Sequence, residues 1–344
     1  MGLTLYAQTF ALYFCELFGG GNEKLVAALM ITFFYALNFF GVDFMSKAQN
    51  LMSAILLLAL IWFTIRGLPK VNWGTFFGGE GWMTGGIKGL FATSTLLTYS
   101  LMGATSLMPY SAQAKNPRRD IPLAGAISTF SIAILFALMG IVCSGILPLD
   151  QVANQTLGVI ANHFLTRPEY IFFMAGGALC AAATTLNGLI GSVPIPLVML
   201  SHDGWLPKKL GTLHPKHKTA YKYLFIYYLI TMAPLFLGID ISAVSDMTLL
   251  GSYAQTAIFI FNMRKIPDLF PEQWEKSVFH MPRGVFNVIM WVCFIGACFN
   301  VYGQLTNSDA KTIAFNVAIM AVGIIYSLVW FKNVKPTVSY ELES

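Results

Sequence analysis

Leu56-Leu57-Leu58-Ala59-Leu60-Ile61-Trp62-Phe63 is apolar at every position. A membrane barrel strand would alternate apolar and polar residues over about ten positions, and a surface helix would turn a polar face outward every three or four, so this run is an apolar helix. Nine further blocks of the same kind lie on either side of it. The ten candidate spans run from about Leu3 to Phe18, Leu25 to Val42, Leu51 to Ile65, Gly86 to Met108, Ala124 to Ile146, Tyr170 to Leu200, Tyr223 to Leu237, Ile241 to Met263, Val285 to Val301 and Thr312 to Phe331. Their lengths match the roughly 20-residue helix that crosses about 30 Å of hydrocarbon. The chain is 56% hydrophobic and 11% charged, against about 25% charged in a soluble domain, and its mean hydropathy is +0.65. The expected fold is therefore an all-α integral membrane protein of about ten transmembrane helices. A soluble enzyme, a nucleic-acid binder and a disordered chain are set aside.

A net charge of +5 carries less information than where the charges sit. Fifteen of the 21 Lys and Arg fall in one set of alternate loops and the tail: Lys47; Lys115, Arg118 and Arg119; Lys208, Lys209, Lys216, Lys218 and Lys222; Arg264, Lys265, Lys276 and Arg283; Lys332 and Lys335. The other set holds Lys24, Arg66, Lys70, Lys88, Arg167 and Lys311. This positive-inside bias assigns the richer loops and both termini to the cytoplasm, and an even number of spans agrees with termini on one side. The five cysteines, Cys15, Cys143, Cys180, Cys293 and Cys298, lie in or beside apolar blocks without CxxC spacing and read as small buried hydrophobes. His214-Pro215-Lys216-His217 lacks a helix-face metal spacing and reads as a cytoplasmic or lipid-facing surface feature. Asn154-Gln155-Thr156 is a formal glycosylation triplet in an outer loop.

Two spans are abnormal. Tyr170 to Leu200 would make about 46 Å of helix, longer than the hydrocarbon core, so it has to tilt or bend. Pro194 and Pro196 supply a bend. The fourth span carries Thr93-Ser94-Thr95, Thr98-Tyr99-Ser100 and Gly103-Ala104-Thr105-Ser106 and ends before Pro109. Such a hydroxyl-rich, glycine-interrupted stretch is a poor continuous helix and a place where freed backbone groups can meet a ligand. Close helix packing explains the same residues in isolation.

Tyr99-Ser100-Leu101-Met102-Gly103-Ala104, continuing through Ala114-Lys115-Asn116-Pro117-Arg118-Arg119-Asp120-Ile121-Pro122, resembles the sixth helix and following loop of the amino acid, polyamine and organocation (APC) transporter superfamily. Thr184-Thr185-Leu186-Asn187, followed by Asp203-Gly204-Trp205-Leu206-Pro207 and His214-Pro215-Lys216, is similar to its eighth helix and exit loop. Asn38-Phe39-Phe40-Gly41 with Gln49-Asn50 is similar to the junction of its fourth and fifth helices. The order and spacing cover essentially the whole chain and place the ten spans as family helices three to twelve. The expectation is a permease short of the family's first two helices, one of which carries half of the binding site.

The resemblance implies two inverted five-helix repeats around a midplane site between broken first and sixth helices. Within a single transmembrane domain over 1–344, it implies the rest of the first repeat at 3–65, the second repeat at 86–263, two further helices at 285–331 and a cytoplasmic tail at 332–344. Carried over by position, Gly103 is the breaking glycine, with Tyr99, Ser100, Ala104 and Thr105 around it. Ser252 and Tyr253 on the eighth span, and Tyr6 and Thr9 on the first, are candidates to face the substrate. Thr184, Thr185 and Asn187 are candidates for an ion site or the transport path. There are departures: Ala104 and Thr105 replace an aromatic and a glutamate frequent in relatives, Ala112 and Gln113 replace two acids, and Pro194-Ile195 replace a Ser-Arg pair. Leu56 stands where some proton-coupled members carry a lysine, so that built-in cation cannot be transferred. Glu16 and Asp246, the acids nearest the spans, are expected at water.

The function implied is a plasma-membrane permease, symporter or antiporter, for an amino acid or related amine. It is not an enzyme, uses no organic cofactor or metal, and is coupled to H+ or Na+ if to any ion. No GxxxxGK[ST] loop is present to bind a nucleotide. Its partners are the substrate and membrane lipids, not nucleic acid, and a homo-oligomer stays open. The competing expectation is a non-transporting membrane fragment or scaffold that needs a partner for the missing helices.

Overall fold

The structure is a computed structural model that describes residues 2–40, 43–78, 85–153 and 155–334. Gly41, Asn154, Lys335 and most of the tail lie outside the described residues. In chain order the helices are α1 Gly2–Phe18, α2 Glu23–Phe40, α3 Asp43–Gly67, α4 Trp73–Gly78, α5 Gly86–Ser100, a 3-10 stretch Met102–Gln113, α6 Pro117–Gly145, α7 Leu149–Val152, α8 Leu157–Phe164, α9 Arg167–Phe172, a π-helical stretch Phe173–Leu179, α10 Cys180–Ser192, α11 Pro194–His202, α12 Tyr221–Phe236, α13 Ile241–Met263, α14 Ile266–Leu269, α15 Pro271–Glu275, α16 Arg283–Asn307 and α17 Ala310–Asn333. Strands are absent among the described residues.

Local chemistry sets the helix ends. The Asn22 side chain accepts the Leu25 amide at 3.2 Å at the start of α2. Thr166 and Glu169 form a capping box at α9, and Asp309 accepts the Thr312 amide at 2.8 Å at α17. Gly19, with φ +77°, closes α1 in a left-handed conformation that a side chain would strain. All ten apolar blocks are mainly helical over their described residues. Among the described residues, six stretches are long and apolar enough to cross a membrane: Glu23–Phe40, Ala48–Lys70, Pro117–Gly145, Arg167–His202, Arg283–Asn307 and Ala310–Lys332. The α1 and α12 helices, at 17 and 16 residues, are short. The α13 helix is long enough but carries Asp246, Thr248, Ser252, Gln255 and Thr256.

Two compact units result, one of residues 1–82, 134–244 and 323–344, the other of 83–133 and 245–322. In the first, Ala7 and Ala11 of α1 and Ala27 and Ile31 of α2 are fully buried in one cluster with Leu186, Ile190, Leu224 and Met232. Alanines at this spacing let helix backbones approach without a hydrophobic drive from lipid. A second cluster joins α3 to the π-helical stretch through Phe63, whose ring stacks on Phe173 at 4.5 Å. The α-helix of the long span is interrupted twice. Pro194 lacks an amide, which ends α10 at Ser192. The π-helical stretch ahead of it contains Gly176, where a Cβ would meet Ile55 of α3 at 2.9 Å.

Candidate functional site

The second unit holds the hydroxyl-rich helix. In α5 the hydroxyls of Ser94, Thr95 and Thr98 donate to the carbonyls of Leu90, Phe91 and Ser94 at 2.7–3.0 Å. Such bonding satisfies them within the helix and bends it slightly. The α-helical ladder ends at Ser100, the Leu101 amide turns back to Thr98 at 3.1 Å, and the chain continues as 12 residues of 3-10 helix. Runs of that geometry beyond three or four residues are uncommon because the bonds are poorly aligned, so backbone groups here are loosely held. Ser100 and Gly103 are exposed, while Tyr99 and Ala104 are half-buried. A Cβ on Gly103 would meet nothing within 4 Å, whereas one on Gly125 of α6 would touch Ala104 at 3.6 Å. Gly103 also has no positive φ. Neither backbone strain nor packing among the described residues demands glycine there. Thr105 takes its place in the 3-10 helix, and its side chain lies outside the described residues.

Tyr253 of α13 is 1% exposed, and its hydroxyl donates to the Thr95 carbonyl. It therefore ties α13 to the turn of α5 just before the break. Ser252 spends its hydroxyl on the Thr248 carbonyl at 2.7 Å. From α16, Gly303 lies so close that a Cβ would be 2.9 Å from Thr95 Oγ1. Lower in the same unit, Gln304 donates to Asp246 Oδ1 at 3.0 Å. A Cβ on Gly251 would meet Asn316 Oδ1 at 2.8 Å.

The other candidates belong to the first unit, within itself. Thr184 and Thr185 donate to carbonyls of Cys180 and Ala181 at 2.8 Å. Asn187 accepts from Asn38 Nδ2 at 3.0 Å and donates to Gln49 Oε1 at 2.8 Å. Gln49 then donates to the Thr184 carbonyl at 3.1 Å. Three side-chain amides from α2, α3 and α10 thus form one network, with Asn38 and Asn187 buried and Gln49 half-buried. Glycine makes room for it: a Cβ on Gly191 would press on Asn38 Oδ1 at 3.2 Å. Of the first-span candidates, Thr9 donates to the Leu5 carbonyl at 2.9 Å.

Several residues escaped sequence reading as site neighbours. Asn38 and Gln49 were visible only as motif letters, Thr95 only as one hydroxyl of the Thr93-Ser94-Thr95 run, and Gln304 and Asn316 only as single polar residues in apolar helices, which was the usable signal. Glu16 and Asp246, expected at water, are half-buried. Glu16 accepts the Thr156 hydroxyl at 2.7 Å and lies against Gly158, where any side chain would collide with it. The histidine-bearing loop docks on the end of α2. His214 Nδ1 accepts the amides of Lys216 and His217 at 3.3 and 3.2 Å, and His217 Nδ1 lies 3.0 Å from the Phe40 carbonyl.

Apolar helices, a helix broken beside Gly103 and small-residue contacts between helices describe a polytopic membrane protein, and residues 1–333 match the amino acid permease family. The chain belongs to the amino acid permease family. Relatives include the vacuolar cationic amino acid transporter 4 of Arabidopsis thaliana, 23% identical over 249 residues, covering 70% of this chain and 41% of the relative. The branched-chain amino acid permease BcaP of Bacillus subtilis (strain 168) is 25% identical over 209 residues, 57% and 41% respectively. The methylthioribose transporter of the same organism is 23% identical over 207 residues, 59% and 43%. This permease-family chain thus spans about two-fifths of the length of these relatives. Their names are those of transporters and a permease, and as a family member the chain is a multi-pass membrane protein.

Proposed function

We propose that the chain provides the core of a secondary transporter that moves an amino acid or related amine across the plasma membrane by alternating access, coupled to H+ or Na+ or to exchange. The observation that carries the reading is the break after Ser100. Loosely bonded backbone follows a hydroxyl-rich helix, Ser100 and Gly103 are exposed, and Gly103 has open space where a side chain would be. Backbone amides and carbonyls freed there would hold the charged ends of the substrate, and Tyr99, Ser100, Ala104, Thr105 and Ser252 would shape its pocket. Tyr253, committed to Thr95, would hold the break in position. The names of two relatives support an amino acid, and that of the methylthioribose transporter names a different solute.

Ten crossing helices in an inverted repeat, with both termini cytoplasmic, agree with the ten helical blocks and the charge bias. Alternating access needs bodies that are each packed within themselves, and the two compact units support it. Uptake of radiolabelled amino acids into proteoliposomes tests the site. Because a Cβ at 103 meets nothing within 4 Å among the described residues, Gly103→Leu should fold normally and lose most uptake. Full uptake by that variant sinks the assignment.

A further inference from the structure

Between α13 and α16 the chain forms a cavity of about 490 Å³ lined by Pro267, Pro271, Trp274, Glu275, His280 and Arg283, a size in the usual range for small-ligand sites. It is far in sequence from the α5 break. Arg283 is the first residue of α16, a helix long and apolar enough to cross a membrane, so a spanning α16 would put the cavity at a membrane–water boundary. Leu269, Val278 and Phe279, from the same stretch of chain, are exposed. Just beside it the Arg264 guanidinium is held between the rings of Phe261 and Trp291 at 4.3 and 4.2 Å, an arrangement suited to that boundary.

The lining carries one full charge of each sign. Arg283 uses a single nitrogen, Nη2, for the Pro267 carbonyl at 3.2 Å and Asp268 at 2.9 Å, which leaves Nε and Nη1 as donors. Glu275 makes no ion pair among the described residues, since Lys276 reaches Glu272 and Arg283 reaches Asp268. His280 Nδ1 lies 3.1 Å from the Trp274 carbonyl. A carbonyl can only accept, so Nδ1 carries the proton and Nε2 of the neutral ring is left as an acceptor. A simple anion would be repelled by Glu275 and a simple cation by Arg283. A molecule with an ammonium and an oxyanion satisfies both, and its ammonium hydrogens supply the donors that Glu275 and His280 lack.

We propose that this cavity binds a zwitterion pairing a primary ammonium with an oxyanion, the chemistry of an ethanolamine phospholipid headgroup or of a free amino acid. Native mass spectrometry of the full chain in detergent, titrated with short-chain phosphatidylethanolamine, phosphatidylcholine and phosphatidylglycerol, tests it. The ethanolamine lipid should bind saturably and about tenfold more tightly than the other two, because only it offers ammonium hydrogens to Glu275. Glu275→Gln keeps the shape of the side chain, which has no structural bond to lose, and should remove that preference. Displacement by glycerophosphoethanolamine but not by alanine identifies a lipid headgroup; displacement by alanine identifies a free amino acid. Equal binding of all three lipids, or an ethanolamine preference unchanged in Glu275→Gln, overturns the proposal.

Discussion

Thr95 shows how little room the second unit leaves at the residue scale: Tyr253 of α13 bonds its carbonyl and Gly303 of α16 faces its hydroxyl. Tyr253→Phe keeps the ring and removes one donor, so it should cost about 1 kcal/mol, read as a lowered midpoint in thermal unfolding. Gly303→Ala forces a methyl to 2.9 Å from Thr95 Oγ1 and should cost about 1–3 kcal/mol by overpacking. Gly103→Ala, with open space around it, should leave the midpoint unchanged. Charge at a helix end gives a pH prediction. Asp240 accepts the Ser242 hydroxyl and amide at 2.5 and 3.1 Å, and these bonds, the hydroxyl first, hold its carboxyl below the ordinary 3.8. The folded state therefore binds this proton more weakly than the unfolded chain. The stabilisation is complete above the ordinary value and disappears as pH falls through the lower folded value. Asp240→Asn should flatten that part of the pH profile of the unfolding midpoint.

At the scale of elements, the side-chain amides of α2, α3 and α10 act as one unit. Asn187→Ala takes one acceptor from Asn38 Nδ2 and the donor from Gln49 Oε1, while Asn38 keeps its bond to the Phe34 carbonyl and Gln49 its bond to the Thr184 carbonyl, so the change should cost about 1–3 kcal/mol in all. A double-mutant cycle of Asn187→Ala with Gln49→Ala should show a coupling well above zero; strict additivity would mean that the two do not interact. The break in α5 was legible from its hydroxyls and glycine, and the interruption of the long span from Pro194, because both act through their own backbone. The π-helical stretch Phe173–Leu179 was not legible. Its glycine faces Ile55 of α3, and no local pattern tells which helix a glycine will meet.

For the whole molecule, the charge bias makes a prediction about topology. In intact cells a membrane-impermeant maleimide should label Gln155→Cys in the loop after α7, while Lys216→Cys in the loop before α12 should react only after lysis. Labelling of both from outside would break the ten-span arrangement. The helical blocks, their breaks and the distribution of Lys and Arg were all readable in the order of residues, since hydrophobic length, a missing amide and a charge beside an apolar run act within a single helix. Which faces meet was decided by the tertiary structure alone. Asn38, Gln49 and Asn187 are separated by up to 149 residues, and Thr95, Tyr253 and Gly303 lie on three different helices. In apolar helices nearly every face is compatible with burial, so pairing is chosen by close fit of small residues and by the need of each buried polar group for a partner.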